Sequence, residues 1–399
     1  FLFLHLNFNM DQFRKNIARL YVVKISKWFN LVMPVVVLFY QDNGMGMQEI
    51  FILKSIYSLA IVALELPSGW MADVWGRKKT LLLGAVLGSA GFLMYSFSYG
   101  FWAFVAAEIV LGAGHSFVSG ADSAMLYESL KADKKSDRYV KHEGRITSAG
   151  NFAEALAGIA AGFLAAISLR TPFYFQFVVA TLAVPAALFL KEPLVQATAQ
   201  IHSIKRMALT IKNTLWKETD LRVAILLSAA TGTATLTFAW LVQPFFKAIG
   251  LPVEWFGIMW TALNLSVGVS SAFAFRFEGR LNRRKEVLLI ILFLATGYFL
   301  SGLVIVREGL IFLFVFYLVR GIATVIFKNY INLYTPSEIR ATILSVRNFI
   351  IRISFAVIGP LLGWMTDHIS LKMAFTLAGF IYLVAAVGAA WPWLLRKKQ

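Results

Sequence analysis

Apolar runs of about 20 residues recur from one end of this sequence to the other, and each is long enough to cross a bilayer as a helix. Lipid offers no hydrogen-bond partners, so a spanning segment must satisfy its own backbone, as a helix or a closed barrel does. These runs are continuous and not alternating, which selects helices. Twelve fit, at roughly 18–40, 49–72, 79–98, 101–129, 143–169, 171–190, 221–246, 253–275, 286–306, 309–334, 341–366 and 371–395. Of the 399 residues, 59% are hydrophobic and 15% charged, where a soluble domain carries about 25% charged. A large soluble fold does not fit, and the expected class is an all-α membrane protein with twelve transmembrane helices.

The formal charge of +17 would suit nucleic acid if it formed a surface patch, but its distribution is topological. Cations gather in alternate connections: Arg77, Lys78 and Lys79; Lys131, Lys134, Lys135, Arg138 and Lys141; Lys205, Arg206, Lys212 and Lys217; Arg280, Arg283, Arg284 and Lys285; Arg396, Lys397 and Lys398. The other connections hold little beyond Arg170, Lys247, Arg307 and Lys372. The positive-inside rule then puts the basic connections and both termini in the cytoplasm, and no nucleic-acid partner is expected. There is no cysteine, and none of the five histidines stands at metal-ligand spacing. Disulfides and thiolate sites are excluded, and neither a metal nor a cofactor is expected. Residues Phe1–Asn9 lack the charged start of a signal peptide, and the native chain is expected to begin at Met10.

One long polar interruption, about 191–220, divides the chain into halves at 10–190 and 221–395. Its Ile204, Met207, Ala208, Ile211 and Leu215, with basic residues between, fit an amphipathic helix on the membrane surface; a plain solvated linker is the alternative. The halves echo each other. Arg145-Ile146-Thr147 and Arg340-Ala341-Thr342 open the fifth and eleventh spans, and Asp73…Lys78-Lys79 is matched by Glu278…Arg283-Arg284. Gly69-Trp70-Met71-Ala72-Asp73 closes the second span and Gly363-Trp364-Met365-Thr366-Asp367 the eleventh. Each is the middle helix of a three-helix unit, yet the two end on opposite sides, as inverted repeats require.

The connection after the second span reads Gly69-Trp70-Met71-Ala72-Asp73-Val74-Trp75-Gly76-Arg77-Lys78-Lys79. It resembles the signature loop of the major facilitator superfamily, with Gly69, Asp73, Gly76, Arg77 and Lys78 at the family's positions and Val74 where a basic residue is usual. The resemblance runs over the whole chain from about Met10. It implies two pseudo-symmetric six-helix bundles, a cavity lined by the first, fourth, seventh and tenth helices, and a monomer. The fourth span resembles the family's second motif in Gly112 and Gly114, with Glu108 where an arginine is usual. The antiporter motif of the fifth span is absent, and a Gly359-Pro360-Leu361-Leu362-Gly363 run lies in the eleventh span instead. On this resemblance Asp73 would face the start of the eleventh helix near Ser337, and Arg77 would pair with Glu128. Together with Gly69, Gly76 and Lys78 they would form a cytoplasmic gate. The alternative is that Arg77, Lys78 and Lys79 only set topology.

Ionisable residues inside spans are costly and mark function or pairing. Glu108, His115 and Asp122 are spaced seven apart, which puts them near one stripe of the fourth helix. Glu154 lies in the fifth span. Lys328, Asn329 and Asn332 lie in the tenth, and Arg347, Asn348 and Arg352 in the eleventh. One reading makes Asp122, Glu154 and Glu108 proton-coupling candidates, with His115, Lys328, Asn329, Asn332, Arg347 and Arg352 binding substrate, the arginines by bidentate contact with an anion. The other reading pairs these charges as structural bridges. Lys24 and Lys27 are expected to snorkel to the interface, and Trp255, Trp391 and Trp393 to sit in the aromatic belt. No Walker-type Gly-Lys-Ser/Thr run supports ATP drive, and no catalytic motif supports an enzyme. The expected function is secondary active transport of a small organic solute, anionic or zwitterionic, across the cytoplasmic (inner) membrane, coupled to protons. A broad drug or metabolite efflux antiporter is the alternative, and a non-transporting membrane sensor represents a different class.

Overall fold

The computed structural model describes residues 2–119, 121–193, 218–277, 282–336 and 339–395, and every regular element among them is helical. In chain order these are α1 (Leu2–Trp28), α2 (Val36–Asp42), α3 (Met47–Val74), α4 (Arg77–Phe97), α5 (Phe101–Val118), α6 (Ala121–Ala132), α7 (Tyr139–Ile167), α8 (Thr171–Thr181) and α9 (Ala183–Leu188). After the linker come α10 (Thr219–Ala248), α11 (Val253–Ala272), α12 (Arg283–Leu303), α13 (Leu310–Tyr334), α14 (Arg340–His368) and α15 (Leu371–Leu395). Among the described residues, ten candidate membrane spans are long and apolar enough to cross a bilayer. Of the other two expected spans, the first is divided between α1 and α2, and the eighth is α11, which carries Glu254, Asn264 and several serines. The expected surface helix falls almost wholly outside the described residues, as do Glu278 and Arg280.

The chain divides into two units. Unit 1 comprises Phe1–Met45, Ile56–Ala199 and Val253–Thr261; unit 2 comprises Gly46–Ser55, Gln200–Pro252 and Ala262–Gln399. The first turns of α3 therefore group with the second unit, and those of α11 with the first.

In unit 1, α1 packs on α6, α7 and α9, and α4 on α5, α8 and α9. Small residues bring α4 and α5 together: a Cβ on Gly114 would lie 2.7 Å from the backbone nitrogen of Gly88, the close approach that membrane helices use in place of a hydrophobic drive. One apolar core gathers Leu20, Leu81, Met125, Leu126, Leu130 and Ile146. A second is an aromatic knot of Phe39, Tyr95, Phe104 and Phe173. Unit 2 packs α10 against α13, α14 and α15, and α12 against α13 and α15, around a matching knot of Phe238, Tyr298, Phe316 and Phe375. Trp393, expected in the interfacial belt, is buried, and its indole N–H donates to Asp220 Oδ1 at 2.8 Å; Trp255 and Trp391 are exposed.

Three expected spans of unit 1 are broken, the sixth only by a turn at Leu182 between α8 and α9. Pro34 supplies no N–H and its ring crowds the preceding turn, and α1 stops at Trp28, with seven residues between it and the start of α2 at Val36. Side chains satisfy the freed backbone. Asn30 Oδ1 accepts from the N–H groups of Val32 and Met33 at 3.1 Å each, and Gln176 Oε1 on α8 accepts from Leu31 at 2.7 Å. The fourth span breaks at Ser119, whose backbone is extended (ψ 125°), and resumes at Ala121.

Candidate functional site

The interruptions of unit 1 frame a charged cluster. Lys24, one turn before the end of α1, is only 5% exposed. Its ammonium lies 2.7 Å from Glu143 Oε1 on α7 and 3.7 Å from Asp122 Oδ2 on α6, and it donates to Ser123 Oγ at 3.1 Å. Asp122 occupies the first turn of α6, where its Oδ1 accepts from the N–H of Ser123 at 2.6 Å. Glu143 Oε2 is buried and has no hydrogen-bond partner among the described residues. Two carboxyl groups thus share one ammonium, and the trio carries one net negative charge when both are ionised. The snorkelling expected of Lys24 does not occur, because α6 and α7 supply it with carboxylates inside the bundle.

Glu108 stands apart from this cluster. The break at Ser119 ends the single helical stripe expected to join Glu108, His115 and Asp122. Glu108 is 1% exposed and sits beside the aromatic knot. Tyr40 donates to its Oε1 at 2.7 Å, and the hydroxyls of Tyr40 and Tyr95 are 2.5 Å apart. Beyond the knot, the Arg170 guanidinium donates to the carbonyls of Ser96 and Ser98 and to Asn43 Oδ1, at 3.1, 2.9 and 2.7 Å. His115 Nδ1 lies 3.2 Å from the Tyr57 hydroxyl, and Glu154 is half-buried on α7.

The signature loop makes a compact charged corner. Gly76 has φ +94°, a conformation that costs glycine little, and it starts α4. Glu192, just beyond α9, accepts from the N–H groups of Arg77 and Lys78 at 2.8 Å each, so a carboxylate occupies the positive end of the helix. Arg77 Nη2 lies 2.6 Å from Glu128 Oε1 and 3.9 Å from Asp73 Oδ1. Asp73 and Gly69 are exposed; Ser337, the expected neighbour of Asp73, is outside the described residues. Glu192 was not among the sequence candidates. Its one signal is the Glu192-Pro193 pair where the sixth span ends.

Unit 2 holds the cationic candidates. Arg347 donates from Nε to Ser228 Oγ at 2.7 Å and from Nη1 to Asn348 Oδ1 at 3.0 Å. Arg352 and Asn329 are half-buried and Lys328 is exposed. Asn332 Oδ1 is buried without a hydrogen-bond partner among the described residues. Among the described residues no carboxylate forms an ion pair with Lys328, Arg347 or Arg352. Among the described residues, too, no three His, Cys, Asp or Glu side chains are placed to hold a metal ion.

Comparison with known proteins follows this geometry. The profile of the Major Facilitator Superfamily matches residues 28–355. The quinolone resistance protein NorA of Staphylococcus aureus (strain MRSA252) is 23% identical over 188 residues, 47% of each chain. An uncharacterised MFS-type transporter, MJ1560, of Methanocaldococcus jannaschii is 23% identical over 169 residues, 42% of this chain and 43% of that one. The matched part thus spans somewhat under half of these curated relatives. Three solved structures share the fold at low identity. Nucleoside transporter NupG has a TM-score of 0.70 at 14% identity, covering 98% of this chain and 100% of that one. D-xylose-proton symporter has 0.72 at 13%, covering 94% and 96%. A variant of peptide transporter POT has 0.69 at 15%, covering 95% of each.

Proposed function

The chain belongs to the major facilitator superfamily, and on that footing we propose that it moves a small organic solute across the cytoplasmic membrane by alternating access, coupled to protons. The observation that carries this reading is the cluster of buried Lys24 and Asp122 with the half-buried Glu143. A net negative charge in a low-dielectric interior is costly, and one proton neutralises it. Taking up that proton on one side of the membrane and releasing it on the other couples the gradient to the conformational cycle. Glu108 and Glu154 are further proton carriers in this scheme.

The solute is anionic or zwitterionic. Lys328, Arg347 and Arg352 stand without carboxylate partners among the described residues, and guanidinium groups hold carboxylates and phosphates by paired hydrogen bonds. His115, Asn329 and Asn332 add polar contacts. The corner of Gly69, Asp73, Gly76, Arg77, Lys78, Glu128 and Glu192 acts as the cytoplasmic gate, and both termini face the cytoplasm in accordance with the placement of basic connections. The working unit is a monomer. A second reading, an efflux antiporter for drugs, draws on the likeness to a quinolone resistance protein.

The test begins with thermal shifts against a quinolone, a nucleoside, D-xylose and a dipeptide, since a ligand that binds the folded state stabilises it. The stabilising solute is then followed in proteoliposomes under an imposed pH gradient. Proton-driven flux is expected to disappear in Asp122→Asn and Glu143→Gln while solute exchange persists. Full flux in both variants removes the cluster from the mechanism. Outward quinolone movement driven by inward protons favours the second reading.

A further inference from the structure

The five-residue echo at Asp367 has no part in the scheme above, and the structure gives it one. Asp367 ends α14, and its two carboxylate oxygens accept from the first N–H groups of α3: Oδ1 from Met47 and Oδ2 from Gln48, at 2.8 Å each. The N–H of Gly46 is taken by Glu49 Oε2 at 3.1 Å. The start of α3, which leaves its first N–H groups without intrahelical partners, is thus capped largely by a side chain 320 positions away.

The surface beneath this cap is built for close, smooth contact. A Cβ on Gly363 would lie 2.6 Å from Gln48 Cα, one on Gly359 2.7 Å from Phe51 Cδ1, and one on Gly46 2.6 Å from Asp367 Oδ2. Ser55 Oγ reaches the Ala356 carbonyl at 3.3 Å. Positions 356, 359, 363 and 367 recur at helical spacing along one face of α14. The contact also explains why Gly46–Ser55 groups with unit 2 while the rest of α3 belongs to unit 1.

We propose that Asp367 is a releasable clamp, which holds the first turns of α3 on α14 in one state of the transport cycle and lets them go in the other. The proposal rests on the alternating-access reading. Three features suit release. Asp367 is exposed, so water replaces its two hydrogen bonds at small net cost. The seam meets glycine at Gly363 and Gly359, with the Phe51 and Phe355 rings in contact at 5.9 Å between centroids, and the Asp367 cap is its main polar hold. And Asp73, at the other end of α3 in the same Gly-Trp-Met-x-Asp sequence, is exposed and caps no helix among the described residues. One aspartate caps a helix start while its counterpart, 3.9 Å from the Arg77 guanidinium, caps none among the described residues, which is the arrangement of two clamps that alternate.

The chain has no cysteine, so a single Ser55→Cys serves as the reporter. Ser55 is 5% exposed under the seam, and its thiol is read by maleimide labelling of the full chain in proteoliposomes, without substrate or proton gradient. Asp367→Asn keeps the side-chain shape and removes the charge. Labelling is expected to rise about tenfold, the effect of losing charge-assisted hydrogen bonds from one state. Gly363→Ala, which pushes α3 off its seat, is expected to raise it as well. Asp73→Asn is expected to leave the rate unchanged or slow it. An unchanged rate in both Asp367→Asn and Gly363→Ala overturns the clamp, as does an equal rise in Asp73→Asn. Because the reading needs no solute, absence of transport would count against the transporter proposal alone.

Discussion

The aromatic knots of the two units occupy the same places in their halves and differ in what they enclose. Phe39, Tyr95, Phe104 and Phe173 come from the first, third, fourth and sixth expected spans; Phe238, Tyr298, Phe316 and Phe375 come from the seventh, ninth, tenth and twelfth. The tightest ring pairs are alike, 3.9 Å between Phe39 and Phe173 and 3.7 Å between Phe238 and Phe316. In unit 2 the hydroxyls meet neutral partners: Tyr298 donates to the Ala234 carbonyl at 2.5 Å, and Tyr382 pairs with Thr237 at 2.6 Å. In unit 1 the tyrosines turn to Glu108. The same knot therefore meets neutral partners in one half and a buried acid in the other, while the buried acid of unit 2, Glu286, lies outside its knot and accepts from Tyr330 at 2.6 Å. The contrast continues beyond the knots, where unit 1 gathers Asp122, Glu143 and Lys24 while unit 2 presents Lys328, Arg347 and Arg352. Duplicated packing leaves each half free to take a different chemical task, which on the proposed function is proton coupling in the first and solute binding in the second.

The strongest way to break this contrast is Lys24→Met, which leaves the buried Asp122 carboxyl and the partly exposed Glu143 carboxyl without their cation. Removing one partner of a buried ion pair costs about 3–5 kcal/mol, so thermal unfolding in detergent should show a large loss of stability, partly restored by adding Glu143→Gln. Neutralising the cations Arg347 and Arg352 in unit 2 should leave stability nearly intact and weaken solute binding instead. Next in size, Tyr40→Phe takes a donor from Glu108 and should cost about 1–3 kcal/mol, whereas Tyr298→Phe frees only a backbone carbonyl and should cost about 1 kcal/mol; equal costs would erase the distinction between the knots. The smallest effect is expected at the partly exposed Arg77–Glu128 pair, where Arg77→Ala should lower stability by about 1 kcal/mol or less. It should alter the labelling of cysteines placed on the α4 side of the gate.

The spans were legible because an apolar run of sufficient length is a local signal, and Glu108 and Asp122 were legible as candidates because an acid in such a run is rare. What escaped was tertiary. Pro34 lies in plain view, but the length of the break it makes depends on Asn30 and on Gln176, 145 positions from the backbone group that it satisfies. Lys24 reads as an interfacial residue until α6 and α7 close over it. Glu143 stands at the polar start of the fifth span and Glu192 in a polar connection, where no periodicity separates a buried partner from a solvated charge. The echo at Asp367 was visible, yet only the geometry attaches it to the start of α3.

The central claim is that the cluster in unit 1 holds an exchangeable proton. Infrared difference spectroscopy of the reconstituted protein through a downward pH step reads this without any solute. A carboxylic-acid C=O band should appear in the wild-type chain as the pH falls and should vanish in Glu143→Gln or Asp122→Asn. The same band at full intensity in both variants would contradict the claim.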